Sequence, residues 1–207
     1  VHSVVAISSP HNGSTVSNYV ADLVFPAFFM ILMLHAKCVA GKGNDDLMLD
    51  QWGITRDPTS GEKAKFNPLA CLKLALSNDH CGYDLTVQGA EKLNKKIKTV
   101  KSAYYFSYTA CITEDAKFGY QKLNLDYDPF IPFYISSPMI CASVNMFLGG
   151  KYIDKSWGAN DGIVPLKSAL YPFGEDHITY DSGRDIIPGV WYVMPTVYGV
   201  DHYDFCN

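Results

Sequence analysis

Two short runs of β-branched and aromatic residues constrain this chain most: Ser3 to Ser8 (S-V-V-A-I-S) and Ser102 to Thr109 (S-A-Y-Y-F-S-Y-T). Each has the composition of a strand and a length near the usual few residues, and the first, read as buried, gives way to the turn residues Ser9-Pro10-His11-Asn12-Gly13. Helical patterns lie between them. From Val16 to about Ala40 the pattern is helical, very apolar from Leu23 to Leu34, and Gly41 to Asn44 breaks it. Pro68 to Ser77 reads as a short helix. Thr86 is placed to cap a helix on which Ala90, Leu93 and Ile97 share a face, with Lys92, Lys95 and Lys96 on the others. Strands separated by helices predict an α/β protein with parallel strands, because a parallel connection must cross back over the sheet. Val190 to Met194 predicts a further strand. Tyr120 to Met146, rich in Pro, Tyr and Phe, resists assignment, and Gly199 to Asn207 reads as a loop carrying His202.

Composition narrows the function classes. The 207 residues are 48% hydrophobic and 18% charged, enough apolar material for a core. Seventeen basic against 21 acidic residues leave a net charge of −4, so no basic surplus exists to grip a nucleic-acid backbone. The longest apolar run, Val24 to Leu34, is interrupted by Pro26 and is short of the roughly 20 residues a membrane span needs. The chain opens on Val1-His2-Ser3-Val4-Val5 with no basic leader, as a processed or partial chain would. Six cysteines, at 38, 71, 81, 111, 141 and 206, contain no C-x-x-C pair. Their even number fits an oxidising compartment and up to three disulfides, with Cys71 and Cys81 near enough in sequence to pair; buried free thiols are the alternative.

The residues that can do chemistry are few. Asp161 sits in Asn160-Asp161-Gly162, by itself a common turn, but Ile163-Val164-Pro165 pins that turn to a core. His202 follows in Val200-Asp201-His202. By itself a histidine in a loop is more often structural. Yet a carboxylate followed by a histidine near the C-terminus has the chain order of a hydrolase triad, in which the carboxylate orients the imidazole and the imidazole takes a serine proton. No G-x-S-x-G elbow is present for that serine. Asp50 and Asp204 are carboxylates suited to a metal, with no local cluster of ligands in sequence around either.

Several phrases then match one family. L-D-Q-W-G-I (Leu49 to Ile54) and Y-D-L-T-V-Q-G-A-E-K-L-N (Tyr83 to Asn94) are the specific ones. S-S-P-H-N-G-S, Y-Y-F-S-Y, N-D-G-I-V, G-V-W and V-D-H join them in the family's order. The chain resembles the thermostable and staphylococcal-type bacterial lipases. The resemblance implies an α/β-hydrolase fold, here the C-terminal half of its parallel sheet, with a helical lid at about residues 16–40. It implies that Asp161 is the triad carboxylate, His202 the triad base, Asp50 a zinc ligand and Asp204 a calcium ligand. It implies a lipid or ester substrate at an interface and a serine supplied by an upstream segment. The cysteine content departs from these bacterial relatives and, with the family, points to a secreted protein. The alternative is a descendant without catalysis that keeps the fold for lipid binding, storage or assembly.

Overall fold

The computed structural model describes residues 2–20, 54–55, 65–66 and 81–206. The chain divides into two compact units, Val1–Asn18 with Asp84–Asn207, and Tyr19–Tyr83. In the second unit Ile54–Thr55 pairs antiparallel with Lys65–Phe66.

The first unit is built on a four-stranded sheet. Its strands are β1 (Ser3–Ile7), β2 (Tyr104–Tyr108), β3 (His177–Thr179) and β4 (Trp191–Val193), in the spatial order β1-β2-β4-β3. All three pairings are parallel, with Val5 opposite Phe106, Tyr105 opposite Trp191 and Ile178 opposite Tyr192. The α/β fold expected from the alternation of strands and helices is what the chain adopts. Beyond β2 and β4 the ladder resumes, parallel again, between Ala110–Cys111 and Val197–Tyr198.

The packing has a simple local cause. Ala6, Ala103, Tyr105 and Trp191 form a buried cluster, with Val4 and Tyr171 against it. The Tyr105 and Trp191 rings lie 4.8 Å apart. Their polar ends are not wasted: Trp191 Nε1 donates to Thr99 Oγ1 at 3.0 Å, and Tyr105 Oη accepts from Val100 N at 2.9 Å.

Among the described residues, helices α1 (Thr15–Tyr19), α2 (Val87–Lys96), α3 (Phe133–Ala142), α4 (Leu166–Leu170) and α5 (His202–Cys206) accompany these strands, and a further four-residue helix spans Cys81–Asp84. Thr86 caps α2 as expected, its hydroxyl accepting from Gly89 N at 3.1 Å. Helix α1 begins where the sequence pattern does; the remainder of the proposed lid, and the helix expected at 68–77, lie outside the described residues.

Four readings change. β1 is not buried on both faces: Val5 and Ile7, which share one face of the strand, are 56% and 46% exposed, because the described residues do not cover that face. The unassigned stretch after Tyr120 holds the end of a hairpin, Thr113–Asp115 with Gln121–Leu123, and then α3. The last segment is not all loop, since α5 starts at His202. Cys81, Cys111, Cys141 and Cys206 are free thiols, so the disulfides the even count allowed do not form among these four. Cys38 and Cys71 lie outside the described residues. No described helix is long and apolar enough to cross a membrane.

Candidate active site

Asp161 and His202 meet beyond the carboxyl ends of the parallel strands, where ligands bind in open α/β sheets. The connection that carries Asp161 is tied to the strand extension by Ile112 N donating to Asn160 O at 2.9 Å. The one that carries His202 follows Val197–Tyr198, and Gly199 N donates to Cys111 O at 2.8 Å. Gly199 turns the chain there with φ +81°; a Cβ would stand 2.5 Å from the Tyr127 ring. Forty-one residues apart in sequence, the two groups are joined by neighbouring strands.

The Asn160-Asp161-Gly162 turn is an organised cradle. Asn160 is fully buried; its amide donates to Gly158 O at 2.8 Å and its Oδ1 accepts from Gly162 N at 2.9 Å. Asp161 is 1% exposed. Its Oδ1 accepts from Ile163 N at 3.1 Å and Val164 N at 2.8 Å. Those two donors orient the carboxylate and leave Oδ2 for the imidazole. Gly162 has φ +108°, and a Cβ on it would stand 2.6 Å from Phe133, so the turn needs glycine.

His202 is held twice by the same residue. Its backbone N–H donates to Asp161 O at 2.8 Å, and its Nδ1 lies 2.8 Å from Asp161 Oδ2. With the carboxylate ionised, the proton belongs on Nδ1 and the lone pair on Nε2. His202 is partly exposed, so Nε2 is the reachable nitrogen. The Asp161 hydrogen bond raises the imidazole pKa above its ordinary 6.5; burial opposes this, and the charges of Asp161 and Asp201 add to the rise. Such a dyad can accept a proton from a hydroxyl or thiol at Nε2 and hold the resulting cation.

Asp201 was not singled out by sequence reasoning, yet it braces the site. It is buried, accepts from Phe130 N at 2.6 Å through Oδ2, and accepts from Asp204 N at 2.9 Å through Oδ1. The second bond is the side-chain cap of α5, and the readable signal was an Asp three residues before another polar residue at a helix start. Ring stacking of Phe130 on Tyr203 at 4.8 Å fastens the same corner.

Asp204 is exposed on α5, and among the described residues no three His, Cys, Asp or Glu side chains converge as a metal site. Asp50 lies outside the described residues. A cavity of about 330 Å³ opens elsewhere, between α2 and the rings of Trp157 and Phe173. Its acid Glu91 is already paired with Lys95 at 3.3 Å and Lys151 at 3.1 Å.

Known proteins share this arrangement of elements. The family described as "Lipase-like, C-terminal domain" matches residues 1–207. A lipase of Staphylococcus hyicus is 31% identical over 209 residues, 99% of this chain and 30% of its own length. Lipase 1 of Staphylococcus aureus is 31% identical over 208 residues, 99% of this chain and 28% of its own. The chain thus spans under a third of these relatives. The crystal structure of the S. hyicus lipase superposes with a TM-score of 0.75 at 29% identity, covering 98% of this chain and 49% of that one. EstA from Clostridium botulinum superposes at 0.70 and 27% identity, covering 98% and 48%. The resemblance read in the sequence holds over the full chain, which belongs to the lipase-like C-terminal domain family.

Proposed function

We propose that this chain is the Asp–His part of a serine lipase with the α/β-hydrolase fold, acting on carboxylic esters of long-chain acylglycerols at a lipid interface. The observation that carries the reading is the buried Asp161 carboxylate on His202 Nδ1, which leaves Nε2 turned to the accessible side. The serine comes from an upstream segment. The share of each relative that this chain spans supports that, and so does the edge of β1, open among the described residues.

The chemistry divides by residue. His202 Nε2 takes the serine proton as the hydroxyl oxygen attacks the ester carbonyl, then returns it to the leaving alcohol. Asp161 keeps the imidazole in the working tautomer and stabilises its cation. Gly162 and Asn160 keep Asp161 from turning away. Backbone N–H donors for the developing oxyanion belong to the upstream segment. Secretion accords with a substrate met as an external lipid phase.

The test is hydrolysis of a p-nitrophenyl ester by the native polypeptide that carries this sequence. His202→Gln is expected to lower kcat by about 10³-fold or more, and Asp161→Asn by about 10⁴-fold. The raised imidazole pKa sets the direction of the pH profile: the basic form is needed, so kcat/KM climbs with pH through a midpoint above 6.5. Turnover indifferent to both substitutions would remove the dyad from catalysis and favour a lipid-binding or structural role.

A further inference from the structure

The cavity of about 330 Å³ beside α2 combines aromatic rings with a surplus of basic groups. The hairpin of Phe147–Leu148 and Lys151–Tyr152 lies over α2, so close that a Cβ on Gly149, at its turn, would overlap the Gln88 side chain. Phe173 is fixed by its backbone N–H, which donates to the buried Asn12 Oδ1 at 2.8 Å. Its ring meets that of buried Trp157 edge-on, with centroids 6.0 Å apart. With Tyr152 these rings supply the apolar lining. The charged lining is basic in a chain of net charge −4: Lys95, Lys98 and Lys151 stand against one acid, Glu91. Glu91 Oε1 holds Lys95 at 3.3 Å and Lys151 at 3.1 Å, and Glu175 holds Lys98 at 3.3 Å. Three ammonium groups thus face two carboxylates. Each ammonium has three N–H donors, and these pairings occupy one apiece. Lys167, over the Trp157 and Phe173 rings at 5.8 and 5.9 Å, is matched by Asp154 at 3.0 Å and adds no net charge.

We propose that this cavity binds a small amphipathic carboxylate, its apolar body against Trp157, Phe173 and Tyr152 and its carboxylate on the ammonium groups of Lys95 and Lys151. The proposal goes beyond the lipase reading and does not depend on it, since the lining includes neither Asp161 nor His202. Size selects the body of the ligand. The volume is at the small end of the roughly 300–1,000 Å³ of ligand pockets, room for one or two rings or a short acyl chain and not for a long one. Charge selects the head group. A single anion restores the balance between three ammonium groups and two carboxylates, and it takes donors that Glu91 leaves unused. Two sources carry this chemistry: aryl acids, and the shorter fatty acids that ester hydrolysis releases. The side chains of Lys95 and Lys98 are 73% and 61% exposed, so water and salt screen the head-group contacts and the affinity is modest.

The native polypeptide that carries this sequence is titrated calorimetrically at low ionic strength with 2-naphthoate, octanoate and the neutral 2-naphthalenemethanol. At least one acid is expected to bind with a Kd below about 1 mM, and the alcohol at least ~10-fold more weakly than that acid. Naphthoate ahead of octanoate assigns the aryl source, and the reverse order the acyl source. Lys95→Gln with Lys151→Gln is expected to weaken the acid at least ~10-fold, and Tyr152→Ala to weaken it too. Lys122→Gln, on the hairpin of Thr113–Asp115 and Gln121–Leu123, is expected to change nothing. An unchanged Tm shows that a variant is folded; should the double variant not fold, Lys95→Gln by itself replaces it, with a loss of about 3-fold. Neither acid binding below about 1 mM, an alcohol within 10-fold of the acid, or a smaller loss in the folded lysine variant overturns the proposal. The last of these is the result for an acid seated elsewhere, as in an acyl groove. Ester turnover in the same sample, present or absent, bears on the lipase reading and leaves this site as the titrations find it.

Discussion

His11 shows what one buried side chain can impose. Its ring lies edge-on to Trp191, with centroids 4.7 Å apart, and its Nε2 is buried without a hydrogen-bond partner. Burial lowers its pKa to about 4. Between about 4 and 6.5 the unfolded chain holds a proton that the folded chain refuses, so stability rises with pH across that window. The shift corresponds to about 3 kcal/mol as a ceiling. His202 works in the opposite sense and in another window. Its raised pKa contributes stability that is complete below 6.5 and is lost as pH climbs through the folded value. Thermal unfolding followed from pH 4 to 6.5 should show Tm rising, and His11→Phe should flatten that rise while keeping the ring contact with Trp191. An equal slope in the variant would assign the pH dependence to other groups.

At the scale of elements, capping and interruption explain which helices were visible. Thr86 announces α2 because its hydroxyl occupies an orphan N–H of the first turn. The buried cap also meets Asn18, whose Oδ1 accepts from Val87 N at 3.0 Å and whose amide donates to Gln88 Oε1 at 2.6 Å. Thr86→Ala should cost about 1 kcal/mol, with Thr86→Ser recovering most of it, both read from denaturant midpoints at constant slope. A loss equal in the two variants would mean that the methyl group, not the hydroxyl, matters. Helix α3 was invisible for the converse reason. Pro138 sits inside it and removes a donor, no side chain caps its start at Pro132, and its exposed Tyr134 and Ile135 blur any apolar face. Helix α5 has five residues, too short to carry a period.

On the scale of the whole molecule the sheet is one-sided in a specific way. Ser8 N donates to Tyr108 O and Tyr104 N to His2 O, so the even-numbered residues of β1 face β2. The backbone groups of Ser3, Val5 and Ile7 then point to the other edge, where no described strand lies. In this chain by itself the amides of Val5 and Ile7 should exchange with deuterium far faster than those of Val4, Ala6 and Ser8, as resolved by NMR. A polypeptide that also brings a strand alongside β1 should protect both sets alike. Slow exchange at Val5 and Ile7 in this chain alone would show that the edge is already covered. Among the described residues this edge is open, and an unpaired edge is a liability for a free-standing protein, which is why it bears on the upstream segment.

Short-range chemistry in the sequence was sufficient for β1, β2, β4, the cap of α2 and the Asn160-Asp161-Gly162 turn, since each depends on residues within a few positions of one another. The motif order was sufficient for the family. The tertiary structure decided what depends on distance in space. The bond between Asp161 and His202 exists because strand extensions at 110–111 and 197–198 run side by side. The bracing of Phe130 by Asp201 and the placement of the Cys206 sulfur on His202 Nε2 follow from a helix too short to be read from periodicity. Burial of β1 on one face only was likewise beyond a local pattern: an apolar run specifies that a strand forms, whereas the elements that pack on each face of the sheet determine which of its sides lose water.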